Sequence, residues 1–157
     1  MIKDSGDRRE FETGAVRDIP EGKGRCDLMP LDIVNAIICD DVLDDDVLLN
    51  IEIYKESKSR KALKEALKIF VTHYYVTPED AFLEVSKHFE AGAEKYGEYN
   101  WQKGIPIHSY IDSAVRHYLK HRRGDKDEPH DRAFIWNIIG AIWTAKNHPE
   151  MIDIKAE

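Results

Sequence analysis

From Ser59 to Asn147 the apolar residues recur at the three- and four-residue spacing of an α-helix, and that period constrains the fold more than any other feature. Leu63, Ala66, Leu67, Phe70, Val71 and Tyr74 fall on one side of a helix that begins at Ser59. Thr77, Pro78 and Asp80 spell a capping box with proline in the first turn. The helix they open carries a stripe of Phe82, Val85, Phe89, Ala93 and Tyr96 and stops at Gly97. Ser109 with Asp112 resembles a second capping box, ahead of Ile111, Ala114, Val115 and Tyr118 and a stop at Gly124. A last helix is predicted from near Pro129 to about Asn147. Its stripe is Ile135, Ile138, Ile139 and Ile142, with Trp136 and Trp143 on a second apolar side, which makes it central or part of a subunit interface.

Upstream the pattern is less uniform. Leu31, Val34 and Ile38 share a helical face, Asp40 to Asp46 is an acidic break, and Val47 to Tyr54 suits a helix or a strand. The first thirty residues hold Thr13-Gly14-Ala15, Pro20 and Gly22-Lys23-Gly24-Arg25, the makings of a structured arm. The expectation is one all-α, bundle-like domain over residues 1–157, preceded by an irregular N-terminal arm over residues 1–30.

A net charge of -7 argues against duplex nucleic acid as the main ligand. An acidic chain still binds a nucleotide where a local basic patch or a metal screens the phosphates. Cys26 and Cys39 fit no zinc spacing, no secretory signal precedes them, and the apolar run Ala133 to Ala145 is too short to span a membrane. A cytoplasmic protein with reduced thiols is expected.

Two pairs of carboxylates stand out. Glu90 and Glu94, four apart, share a helix face, and like charges there repel unless a cation lies between them. Glu128 and Asp131 share a face at the start of the last helix, where the helix dipole alone also favours acidic residues. Facing pairs on adjacent helices would suit Mg²⁺, with Mn²⁺ as a substitute, since such ions prefer oxygen ligands. Glu90 and Glu128 are then the catalytic candidates. Arg17, Lys23, Arg25, Lys95 and Arg116 are candidates for phosphate contacts. Asn100, Trp101, His130 and Asn137 are candidates for the base, by stacking or amide hydrogen bonds. His117 and His121 are four apart but lack the glutamate of a zinc-hydrolase helix motif, so a solvated pair is the simpler reading.

Several strings resemble the phage and prophage dATP/dGTP diphosphohydrolase family. They are Phe11-Glu12-Thr13-Gly14-Ala15-Val16-Arg17-Asp18, Gly22 to Leu28, Phe89 to Gly97, Asn100-Trp101 with Lys103-Gly104-Ile105-Pro106, Asp112 to His117, Asp127-Glu128-Pro129-His130 and Trp136-Asn137. The resemblance fades over residues 40–76, which reads as an insertion. It implies a MazG-like helical fold, with ExxE and ExxD pairs around Mg²⁺ on neighbouring helices. Glu128 to Asp131 fits ExxD, whereas Glu90 and Glu94 depart from ExxE by one residue, so Asp112 enters as a substitute ligand. It also implies hydrolysis of dATP or dGTP to monophosphate and pyrophosphate in nucleotide-pool control, and a homo-oligomer. Two alternatives stand beside it. One is an HD-type phosphohydrolase built on His130-Asp131, His88 or His117, and Asp153, with a transition metal. The other is a nucleotide-binding accessory protein without turnover.

Overall fold

A computed structural model of the chain describes residues 8–39 and 46–154. The fold is all-α. Helices α1 (Leu31–Ile38), α2 (Val47–Ser57), α3 (Arg60–Tyr74), α4 (Pro78–Tyr96), α5 (Ile107–Arg123) and α6 (His130–Asn147) follow a short antiparallel hairpin of β1 (Arg8–Glu10) and β2 (Val16–Asp18). The ambiguous segment from Val47 is helical, with Leu48, Ile51 and Tyr54 fully buried. Most of the acidic break, residues 40–45, lies outside the described residues.

α5 and α6 form the central antiparallel pair. Phe70 of α3 knits them together: its ring centroid lies 4.3 Å from that of Phe134 and 6.1 Å from that of Tyr118. α1 is fixed to α2 by the buried Glu52, whose Oε1 accepts the Leu31 N–H at 2.7 Å, one of the donors a helix start leaves unpaired. Among the described residues no helix is long and apolar enough to cross a membrane.

The α4 start is as the sequence predicts. Asp80 N–H donates to Thr77 Oγ1 at 3.1 Å and Thr77 N–H donates to Asp80 Oδ2 at 3.2 Å. Thr77→Ala is expected to cost about 1 kcal/mol, a fall of roughly 2–4 °C in melting temperature by circular dichroism. The α4 stripe is rotated from expectation. Ala81 and Val85 are buried while Phe82 is 45% exposed. Phe82 follows Ala81 by one residue, about 100° round the helix, and so turns away from the buried side. Ser109 and Asp112 do not form a capping box. α5 begins three residues earlier, nearly a full turn, at Ile107 after Pro106, which leaves both side chains inside the helix for other partners. The second apolar side of α6 is covered within the chain: Trp136 meets Phe89 and Tyr110, and Trp143 meets Trp101. α6 is therefore a central helix.

Candidate functional site

A cavity of about 370 Å³ lies between the arm, α4, α5 and the start of α6, a size suited to a small-molecule ligand. Helical spacing builds its walls. α4 presents His88, Gly92 and Tyr96; α5 presents Asp112, Ser113, Arg116 and His117; α6 presents Ala133, Trp136 and Asn137. The arm folds over these helices because Asn100 clamps β2 in both directions. Val16 N–H donates to Asn100 Oδ1 at 2.9 Å, and Asn100 Nδ2 donates to Val16 O at 3.0 Å.

Arg17, on β2, is the central cation. Its Nη2 donates to Ser113 Oγ and to Asn137 Oδ1, both at 3.1 Å, and its guanidinium lies 5.5 Å from the Tyr110 ring centroid and 5.7 Å from that of Trp136. These partners are all neutral. Nη1 is sealed from solvent without a hydrogen-bond partner, and burial lowers the pKa. A buried arginine held by neutral groups is a receptor for an anion. Lys23 lines the same cavity, and burial lowers its pKa too. Arg9 donates from Nη2 to Ser109 Oγ at 3.1 Å and leaves Nε unpaired. His88 is a further orphan: burial pushes its pKa down to about 4, so it is neutral near pH 7, and Nδ1 has no partner.

At the α5–α6 end the cavity meets a histidine–carboxylate cluster. His117 Nδ1 and His130 Nδ1 are 2.9 Å apart, and Glu128 Oε1 lies 3.4 Å from the first and 3.6 Å from the second. His130 Nε2 lies 2.7 Å from Asp127 Oδ1. Burial, then the neighbouring His130, holds the His117 pKa well below its ordinary value.

The five expected metal carboxylates do not meet. Glu90 and Glu94 are exposed on the outer face of α4, about 120–160° round the helix from His88 and Gly92, and neither lines the cavity. Asp112 is buried and engaged, accepting Cys26 N–H at 2.6 Å and Arg116 Nη2 at 2.6 Å. Asp131 accepts the Tyr75 hydroxyl at 2.5 Å. Glu128 alone of the five joins the histidine cluster. An all-oxygen cage is thus not what these side chains form, and the metal-competent groups among the described residues each include a histidine.

Of the expected ligand contacts, Arg17, Lys23, Asn100, Arg116 and Asn137 line the cavity. Arg116 also braces the arm, donating to Lys23 O at 3.2 Å and Gly24 O at 2.9 Å. Asn137 holds Arg17, and His130 sits in the histidine cluster. Three others are elsewhere. Arg25 forms a two-pronged pair with Asp27 at 2.8 Å, Lys95 pairs with Asp18 at 3.0 Å, and Trp101 packs edge-on against Trp143. The HD arrangement does not assemble either, because Asp131 is turned to Tyr75 and Asp153 pairs with His108.

Trp136 and His88 line the cavity although the sequence pattern assigns neither to the base: Trp136 lies beside Asn137 and one turn from Ala133, which is the local signal for it, and His88 enters from sequence only as a metal ligand of the HD alternative.

A helical domain that sets the enclosed Arg17 guanidinium and a histidine–carboxylate cluster at one cavity has the build of a phosphoanhydride hydrolase. Residues 55–154 match the family model described as dATP/dGTP diphosphohydrolase, N-terminal. That span is well over half of the chain, and the chain belongs to this family: it is a hydrolase acting on nucleoside triphosphates. The match takes in residues 55–76, the later part of the segment read as an insertion, and leaves out the arm that carries Arg17 and Lys23. No curated protein and no solved structure matches the chain.

Proposed function

We propose that this cavity binds a purine deoxynucleoside triphosphate and hydrolyses it between the α- and β-phosphates. The observation that carries the reading is Arg17, a buried cation with only neutral partners and an unpaired Nη1. Arg17 and Lys23 hold the phosphates, with Arg116 keeping the Lys23 turn in place. Magnesium enters as part of the substrate, bound to triphosphate oxygens, where its preference for oxygen ligands is met. Water attacks the α-phosphorus, the bridging oxygen leaves with pyrophosphate, and the monophosphate departs with the water oxygen. Glu128, at the cavity wall, orients that water and accepts its proton. The base lies between α4 and α6, over Trp136 and beside Gly92, which leaves open space there. Neutral His88 offers it one donor and one acceptor. The reading extends to nucleotide-pool control in a phage or prophage setting and to a homo-oligomer, as the family resemblance implies, and to the cytoplasm, as the cysteine pattern leads one to expect.

Two measurements bear on it. Each dNTP is incubated with the protein and Mg²⁺ and the products are separated by ion exchange. dATP and dGTP are expected to yield monophosphate and pyrophosphate with kcat/KM at least about tenfold above dCTP and dTTP, the worth of roughly one buried hydrogen bond. Release of inorganic triphosphate would overturn the reading. Glu128→Gln is expected to lower turnover by roughly 100-fold, whereas Glu90→Gln, on the exposed face, changes it by less than about 3-fold. Equal losses in the two variants would move the chemistry to α4.

A further inference from the structure

His117, Glu128 and His130 place three potential donor atoms, two nitrogens and one oxygen, around one point at the end of the cavity. Their separations of 2.9, 3.4 and 3.6 Å suit neighbouring ligands of a single ion, since bonds of about 2.0–2.2 Å to a common centre hold adjacent donors roughly 3–3.5 Å apart. Asp127 Oδ1 lies 2.7 Å from His130 Nε2. With the ring proton held there, the Nδ1 lone pair of His130 turns toward His117 and Glu128. A carboxylate behind a histidine in this way fixes the tautomer and orientation of a metal ligand. A second group, Asp125, Asp127 and His130, uses the opposite ring nitrogen, but Arg123 takes up Asp125 through bonds of 2.8 and 2.5 Å.

We propose that His117 Nδ1, His130 Nδ1 and Glu128 Oε1 form a resident site for a divalent transition-metal ion, with Asp127 orienting His130. Two imidazole nitrogens select Mn²⁺, Fe²⁺, Co²⁺ or Zn²⁺ over Mg²⁺, which favours oxygen ligands and gives up its waters reluctantly. The site sits against the cavity, so its ion serves the phosphoanhydride chemistry proposed above. Its existence, however, rests on the cluster alone and is tested without nucleotide.

The probe is Co²⁺, titrated into chelator-stripped protein and followed by visible absorption and calorimetry. The expected result is one ion per chain with a nitrogen-ligand d–d spectrum, not displaced by a hundredfold excess of Mg²⁺. Glu128→Gln and His117→Gln are each expected to weaken Co²⁺ binding at least tenfold while melting like the parent in chelator. The melt in chelator separates lost ligation from a folding defect, which matters most for the largely buried His117. Asp125→Asn is expected to bind Co²⁺ like the parent. No Co²⁺ spectrum, displacement by Mg²⁺, or parental affinity in both cluster variants would overturn the site; a loss confined to Asp125→Asn would move the ion to the outer group. If Co²⁺ binds as expected but no dNTP is turned over, the metal site stands and the proposed hydrolysis falls.

Discussion

Arg17→Met is expected to lower kcat/KM for dATP and dGTP by roughly 100-fold, with the melting temperature within about 3 °C of the parent. Arg17 Nη2 is committed to Ser113 and Asn137, while Nη1 is buried without a partner. A charge-assisted hydrogen bond to phosphate is worth about 1.5–3 kcal/mol, and each 1.36 kcal/mol is about tenfold in rate. The methionine stem keeps much of the packing against Tyr110 and Trp136 and removes a buried charge that no carboxylate hydrogen-bonds, with Asp112 attracting it only at longer range, so stability is largely preserved. Arg17→Lys keeps the charge but loses the fork, and falls between parent and methionine variant. Steady-state kinetics with a parallel thermal melt checks all three. Parental kcat/KM in Arg17→Met would mean the phosphates bind elsewhere.

Gly140→Ala should be the most damaging small substitution in the helical core. A Cβ at Gly140 would lie 2.8 Å from Tyr110 Cζ and closer still to Cε1. Tyr110 is fully buried, and its ring already packs against Trp136, so it cannot swing aside. Forcing α5 and α6 apart costs about 1–3 kcal/mol, against a gain of up to about 1 kcal/mol from replacing glycine in a helix. The net loss of roughly 1 kcal/mol appears as a melting temperature lower by about 2–4 °C. Gly92→Ala is the internal control: it is also in a helix, but a Cβ there meets nothing within 4 Å. It should melt at or slightly above the parent temperature. Equal melts for the two variants would show that the α5–α6 contact is not the close one described.

How much of this the sequence reveals depends on the range of the interaction concerned. The Thr77–Asp80 box and the Gly97 and Gly124 stops are local and are readable, because their partners lie within a few residues. Periodicity likewise yields the long helices. It says that Glu90 and Glu94 share a face, but not whether that face meets α6 or solvent, and Phe82 carries the same ambiguity. Arg17, Lys23 and Arg25 stand out in the arm as cations, yet nothing near Arg17 in sequence indicates Ser113 and Asn137 as its partners, or Asp27 as the partner that takes Arg25 away from the cavity. His117 and His130 are thirteen residues apart on two helices, and only the tight α5–α6 turn brings them to 2.9 Å. Trp101 and Trp136 look alike in sequence; docking of α4 against α6 puts Trp136 at the cavity and Trp101 against Trp143.

The position of bond cleavage tests the central claim most directly. dATP is hydrolysed in ¹⁸O-labelled water with Mg²⁺ and the products are read by ³¹P NMR and mass spectrometry. The account predicts one ¹⁸O in the α-phosphate of the monophosphate and none in pyrophosphate, as attack at the α-phosphorus requires. Label in pyrophosphate, or release of inorganic triphosphate with an unphosphorylated nucleoside, would contradict it.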